Sequence, residues 1–140
     1  MGRFSETELP LNSLGLSEAP YPALCQVQED LWVLLQAFSY TRESGEVITA
    51  PAGMLTDLAS IPRVAWDLLP PFGKYTGAAI IHDFLYQNQP CTREEADGIL
   101  AEAMDVEGVE HVVREMIYQA VRIGGQEAWD KHAAQASGSQ

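Results

Sequence analysis

Residues 76–88, TGAAIIHDFLYQN, and residues 93–105, REEADGILAEAMD, both carry helical patterns, and only the short NQPC stretch joins them. A link that short folds the second helix back along the first, so the two are antiparallel neighbours. Thr92, with Glu95 three places on, reads as a capping box that starts the second helix. Its apolar stripe is Ala96, Ile99, Leu100, Ala103 and Met104, with Asp97 at the stripe's edge near Arg93. On the first helix, at 100° per residue, Ala78, Ile81, Phe84 and Leu85 share one side. His82 and Tyr86, four apart, stack beside them, and Asp83 lies one step further round. A polar seam therefore runs beside a core stripe, facing the second helix.

The rest of the chain is arranged around this pair. Val109, Val112, Val113, Met116, Ile117, Ala120 and Val121 repeat at alternating steps of three and one, which predicts a third helix over about 109–123, stopped by Gly124 and Gly125. A last short helix over 126–135 carries Trp129, and 136–140 read as a flexible tail. Upstream, LWVLLQAFSY (31–40) reads as one buried strand, TRESGE (41–46) as a turn and VITAPAG as a second strand, ended by Pro51 and Gly53. Residues 54–75 have no clean period. Pro62, Pro70, Pro71 and Gly73 cut them, leaving room for one short helix near 62–68. Residues 1–22, rich in Pro, Ser, Gly and Glu, read as an irregular arm. The expected fold class is α+β: a small antiparallel β-hairpin or sheet, then a half of three to four helices, with 23–135 as a single domain.

Charge and composition exclude several functions. The formal net charge is −12, which repels phosphate backbones over the Debye length and argues against nucleic acid as a partner. No window approaches the roughly 20 apolar residues a membrane span needs, and the opening MGRFSETELPLNSLGL has no export signal. Cys25 and Cys91 form no C-x-x-C pair, against a zinc ribbon; they read as two reduced thiols, with one disulfide as the alternative. His111 and His132 have no ligand spacing to each other or to His82, against a three-histidine zinc site.

The candidate chemistry centres on His82. A carboxylate bonded to one imidazole nitrogen fixes the tautomer and raises the basicity of the other, which is how a general base is set up. Asp97 is the expected carboxylate, with Asp57 the alternative, and Tyr86 is the third member of the catalytic group. Asp83 is placed to hold a hard cation, calcium or magnesium, with Asp57 as a further ligand. In TDLASIPR, Ser60 and Arg63 are candidates for substrate binding, Arg63 as an anion clamp. Ser60 as a nucleophile lacks a G-x-S-x-G elbow. A structural reading stands beside each of these. A histidine bonded to a carboxylate at a helix–helix edge also holds a core together, Asp57 and Ser60 also form turns and caps, and Arg63 can pair with Asp57 or Asp67.

The blocks PAGMLTDLASIPR, GKYTGAAIIHDFLY, REEADGILAEAM and MIYQAVRIGGQEAW, in that order over roughly 31–130, resemble the phage- and prophage-encoded family known as domain of unknown function 1353. The paired T-D-x-A-S-I-P-R and H-D-x-L-Y blocks carry the resemblance. It implies a phage or mobile-element context, and with it a location in the cytoplasm of an infected bacterium or in the virion. HDFLY also resembles the His-Asp helix of secreted calcium-dependent phospholipases, which places a Tyr four after the His and an orienting Asp on the next antiparallel helix. That likeness implies that His82 deprotonates water, Asp83 holds calcium, and Tyr86 and Asp97 support the histidine. The chain departs from it in lacking the glycine-rich calcium loop and the disulfide cysteines of the animal enzymes. Two functions follow as expectations. One is a metal-assisted hydrolase acting on an envelope component, lipid or peptidoglycan. The other is a non-enzymatic virion or assembly protein, a tail or head–tail component that docks on phage structural proteins through its acidic surface and arm, with its oligomeric state left open. A hydrolase needs His82 reachable; an assembly protein needs it packed shut.

Overall fold

The computed structural model describes residues 2–6, 22–58, 60–62, 65 and 75–138. The chain divides into two compact units, Met1–Asp57 and Leu58–Gln140.

The first unit is all β, in two three-stranded antiparallel sheets. One has the order β1-β4-β5, built from Arg3–Glu6, Phe38–Thr41 and Val47–Ala50. The other has the order β2-β3-β6, built from Leu24–Gln28, Leu31–Leu34 and Leu55–Thr56. The stretch 31–40, expected as one strand, is therefore two strands in different sheets. The chain turns off after Leu34, which is fully buried, with its N–H donating to the Met54 carbonyl at 2.9 Å, while Leu35 is exposed. A continuous apolar run has no period of its own to mark such a break. The β4–β5 hairpin follows the expected turn: Phe38 opposes Ala50, Tyr40 opposes Ile48, and Gly45 closes the loop at φ +96°. Alternation does the rest, since Ile48 and Ala50 are buried while Val47 and Thr49 face out.

Arg3–Glu6 corrects the expected irregular arm. Phe4 lies against Phe38 and Tyr40, with ring centroids 5.3 and 4.8 Å away, and Gly2 passes so close over the Tyr40 ring that any Cβ would overlap the phenol. Polar neighbours hid this single anchor. Residues 7–21, the rest of the arm, lie outside the described residues. Leu24–Gln28 was missed for a related reason: it is mostly exposed and pairs only along one edge of β3.

The second unit is helical: α1 Thr76–Asn88, α2 Arg93–Glu107, α3 His111–Gly124 and α4 Gln126–Gly138. The short helix expected near 62–68 falls almost wholly outside the described residues. α1 is buried continuously from Thr76 to Asp83 and again at Leu85 and Tyr86, so it is the central helix rather than a one-sided one. Its link to α2 turns on Gln89, left-handed at φ 51°, whose N–H returns to the Leu85 carbonyl at 2.8 Å. Thr92 caps α2 by accepting from the Glu95 N–H at 3.1 Å, and its hydroxyl donates to the Glu95 carboxylate at 3.0 Å. All five residues of the expected α2 stripe are buried. α3 behaves differently. Ile117 and Val121 are buried, but Val112, Met116 and Ile123 are 59%, 48% and 83% exposed. Its apolar stripe is wider than the face that packs, so the full repeat was not core. α4 runs past the expected end at 135, and Trp129 meets Tyr86 edge-on with centroids 5.1 Å apart. Among the described residues no helix is long and apolar enough to cross a membrane.

The two ends of the α1–α2 hairpin are tied by one carboxylate. α1 has no side-chain cap of its own, and Glu107, at the end of α2, accepts from the Gly77 and Ala78 N–H groups at 3.1 and 3.0 Å. Burial pushes the Glu107 carboxyl up to about 8, with the two N–H bonds opposing it. A carboxyl raised in the folded state contributes stability that is whole below its ordinary value of 4.5 and is lost as pH rises towards about 8. Urea unfolding between pH 5 and 8.5 should therefore show stability falling with pH, and Glu107→Gln should flatten that slope. An equally steep slope in the variant would assign the effect to another group.

Candidate functional site

Asp97 is completely buried, and four donor side chains are organised on its two oxygens. α1 brings two donors to one of them, because residues four apart share a helix face. His82 Nε2 donates to Asp97 Oδ1 at 2.8 Å, and the Tyr86 hydroxyl donates to the same oxygen at 2.7 Å. The two rings lie 4.3 Å apart. The other oxygen belongs to arginines: Arg122 Nη1 from α3 at 2.6 Å, and Arg93 Nη1, one turn back on α2, at 3.3 Å. Arg93 also donates to the Val121 and Arg122 carbonyls, both at 3.1 Å. Those carbonyls lie in the last turn of α3, where the helix leaves acceptors unsatisfied and its dipole is negative.

Gly125 makes room for this cluster. Its φ is −82°, so no left-handed turn requires glycine. A Cβ there would lie 2.5 Å from the Tyr86 hydroxyl and 2.6 Å from the Val121 carbonyl. The glycine seen in the sequence as a helix stop is thus also a clearance.

The second ring nitrogen is engaged too. His82 Nδ1 lies 3.1 Å from Ser60 Oγ. With Nε2 donating to Asp97, a neutral ring accepts at Nδ1, so the serine hydroxyl donates there. Ser60, His82 and Asp97 form a hydroxyl–imidazole–carboxylate chain, with exposures of 1%, 0% and 0%.

The electrostatics follow from this geometry. Burial raises the Asp97 carboxyl, but the bonds from His82, Tyr86 and Arg122 outweigh it, holding the group below its ordinary range. Burial, then the bond to Asp97, pushes the Tyr86 phenol above its ordinary range, with Arg93 opposing. The bond to Asp97 raises the Arg122 guanidinium in turn.

Of the residues singled out in the sequence, His82, Asp97, Tyr86 and Ser60 come together. Asp83 is buried beside them, and its Oδ2 accepts from Gln87 Nε2 at 3.0 Å, one turn along α1. Asp57 is exposed at the end of the first unit, and Arg63 lies outside the described residues. Among the described residues no group of three His, Cys, Asp or Glu side chains is poised for a metal ion. A hard cation takes six or more oxygens, so these residues do not by themselves make a calcium or magnesium site. His111 is exposed. Arg122 and the Ser60 contact were not foreseen. Arg122 follows a core valine on α3, and nothing in its spacing marks it as a ligand of α2.

A family model described as "Protein of unknown function (DUF1353)" matches residues 32–121. The chain belongs to this family. The matched span carries Ser60, His82, Tyr86, Arg93 and Asp97. No curated protein and no solved structure matches the chain.

Removing Asp97 leaves His82 and two guanidinium groups without their common acceptor. Asp97→Ala should cost about 3–5 kcal/mol, as for other broken buried ion pairs. The folded-state pKa of Asp97 is lowered, so its contribution is whole above the ordinary 3.8 and is lost as pH falls through the lower folded value. Chemical denaturation on the acid side should show that loss in the parent chain and not in the variant. Gly125→Ala should destabilise by about 1–3 kcal/mol through overpacking against Tyr86.

Proposed function

We propose that the chain is a hydrolase acting on a component of the bacterial envelope, lipid or peptidoglycan, with His82 as its general base. The observation that carries this reading is the order of contacts across the ring. Asp97 takes Nε2 at 2.8 Å, which leaves Nδ1 as the proton acceptor, and a hydroxyl already lies 3.1 Å from it. Proton transfer to Nδ1 makes an imidazolium, and Asp97 balances that charge from the other side. Tyr86, Arg93 and Arg122 keep Asp97 ionised, so it orients the ring rather than taking the proton itself. The order of groups also supports the likeness to calcium-dependent phospholipases, in which the carboxylate and tyrosine sit behind the working histidine. The phage context implied by the T-D-x-A-S-I-P-R and H-D-x-L-Y blocks supports an envelope substrate. A divalent cation, calcium or magnesium, enters this reading only at Asp83, and no step runs through it.

One observation favours the second reading, a non-enzymatic virion or assembly protein. His82 and Asp97 are 0% exposed and Ser60 1%, as in a network whose only work is to hold helices together. Catalysis requires the site to open when substrate binds.

His82→Ala separates the two. His82 is buried and bonded to Asp97, so the variant should lose about 1–3 kcal/mol under either reading; in a hydrolase, the variant protein that remains folded should in addition hydrolyse phospholipid vesicles or purified peptidoglycan about 10²- to 10⁴-fold more slowly than the parent. A purely structural histidine should instead go with no hydrolysis of either substrate by the parent. The cation has its own check. Millimolar calcium or magnesium should raise the melting temperature of the parent and not of Asp83→Asn, and no shift in the parent would remove the metal from this reading.

A further inference from the structure

We propose that Ser60 is the nucleophile of this site and that the substrate class is a carboxylic ester, as in an acyl lipid. The inference rests on the hydrolase reading above and goes past it, because a base at His82 would serve water equally well.

Two observations carry it. The first is connectivity. Ser60 Oγ, His82 and Asp97 form one chain of contacts, 3.1 Å on one side of the ring and 2.8 Å on the other, from three separate places: a turn, α1 and α2. Nucleophile, base and orienting carboxylate are recognised by this geometry and not by sequence spacing. Which ring nitrogen faces the serine does not alter the charge balance, since the imidazolium charge is delocalised over both nitrogens and Asp97 meets the far side. The second observation is the turn itself. Leu58, two residues before Ser60, is buried with its backbone left-handed at φ +60°, a conformation that side chains such as leucine rarely adopt. Ile61 N–H closes the turn on the Leu58 carbonyl at 3.4 Å. Pro62, next along, packs so near Gly124 that a Cβ there would lie 3.0 Å from its ring. The strain is at Leu58, two residues before the hydroxyl, and Pro62, two residues after it, is held against Gly124. Strain of this kind collects where a side chain must be aimed.

The chemistry balances with water as the only co-reactant. Ser60 Oγ attacks the ester carbonyl carbon as its proton passes to His82 Nδ1. The tetrahedral intermediate breaks its bond to the leaving alkoxide, which takes the proton from Nδ1 and departs as an alcohol, leaving an acyl ester on Ser60. Water then gives its proton to Nδ1 as it attacks that ester. The carboxylic acid leaves, and the proton returns to Ser60 Oγ.

The full-length chain is treated with a biotinylated fluorophosphonate and, separately, with p-nitrophenyl butyrate. The expected result is a phosphonyl adduct mapped by mass spectrometry to Ser60, absent from Ser60→Ala and formed at least about 10²-fold more slowly in His82→Ala. Hydrolysis of p-nitrophenyl butyrate should fall by a similar factor in both variants. Ser60→Cys, which keeps the side chain's size and guards against a misfolded alanine variant, should retain the butyryl group as a thioester at position 60. If Ser60→Ala hydrolyses the ester at the parental rate while His82→Ala does not, water is the nucleophile; Ser60 is then ruled out and the general-base reading stands. A parent chain that neither takes the label nor cleaves the ester overturns the nucleophile.

Discussion

A single buried carboxylate sets the conditions for the helical unit. An isolated carboxylate moved from water into a protein interior meets a penalty large enough to neutralise it or unfold the chain. Asp97 stays ionised because four donors reach it: His82 and Tyr86 on one oxygen, Arg122 and Arg93 on the other. Those donors come from α1, α2 and α3, so the register of all three helices is fixed by one side chain. A slide of α1 by one residue along α2 would break two bonds at once. The cluster also explains local choices that look arbitrary in isolation. Tyr86 follows His82 by four because both must face α2. Gly125 is small because Tyr86 and the last carbonyls of α3 already fill that space.

How far this was legible from the sequence depended on the range of each contact. The α1–α2 hairpin was readable because its link is short and its cap is local, with Thr92 and Glu95 three apart. The pairing of His82 with Asp97 followed from the same hairpin: two seams on adjacent antiparallel helices have to meet. Arg122 could not be read this way. It lies 25 residues from Asp97, on a helix whose packing face was itself misjudged. A wheel gives the width of an apolar stripe but not which part of it finds a partner, and Val112 and Met116 look like core residues until α3 is docked on α2. In the β unit only the β4–β5 hairpin was read, for the complementary reason. The run 31–40 is mostly apolar, so the break after Leu34 left only Gln36 as a mark, while Arg3–Glu6 and Leu24–Gln28 are too polar to signal strands. Sheet pairing, not local preference, makes those residues extended.

The same network bears on whether the site does chemistry. A helical core can be tied together with leucines, and a buried ion pair is seldom the more stable choice. Retaining a carboxylate, two guanidinium groups, a phenol and an imidazole in one place makes sense if their charge state is used. The direction of the pKa effects fits such a use. Asp97 is held ionised, so it can orient the ring and balance an imidazolium without becoming the proton's resting place. The phenol of Tyr86 is held protonated and remains a donor. The charge arrangement that locks the three helices is also the one that a general base at His82 needs. The feature that would distinguish a tool from a tie is therefore not in the carboxylate half of the cluster at all. It lies on the other side of the ring, where a serine hydroxyl, two residues after the left-handed Leu58, faces Nδ1.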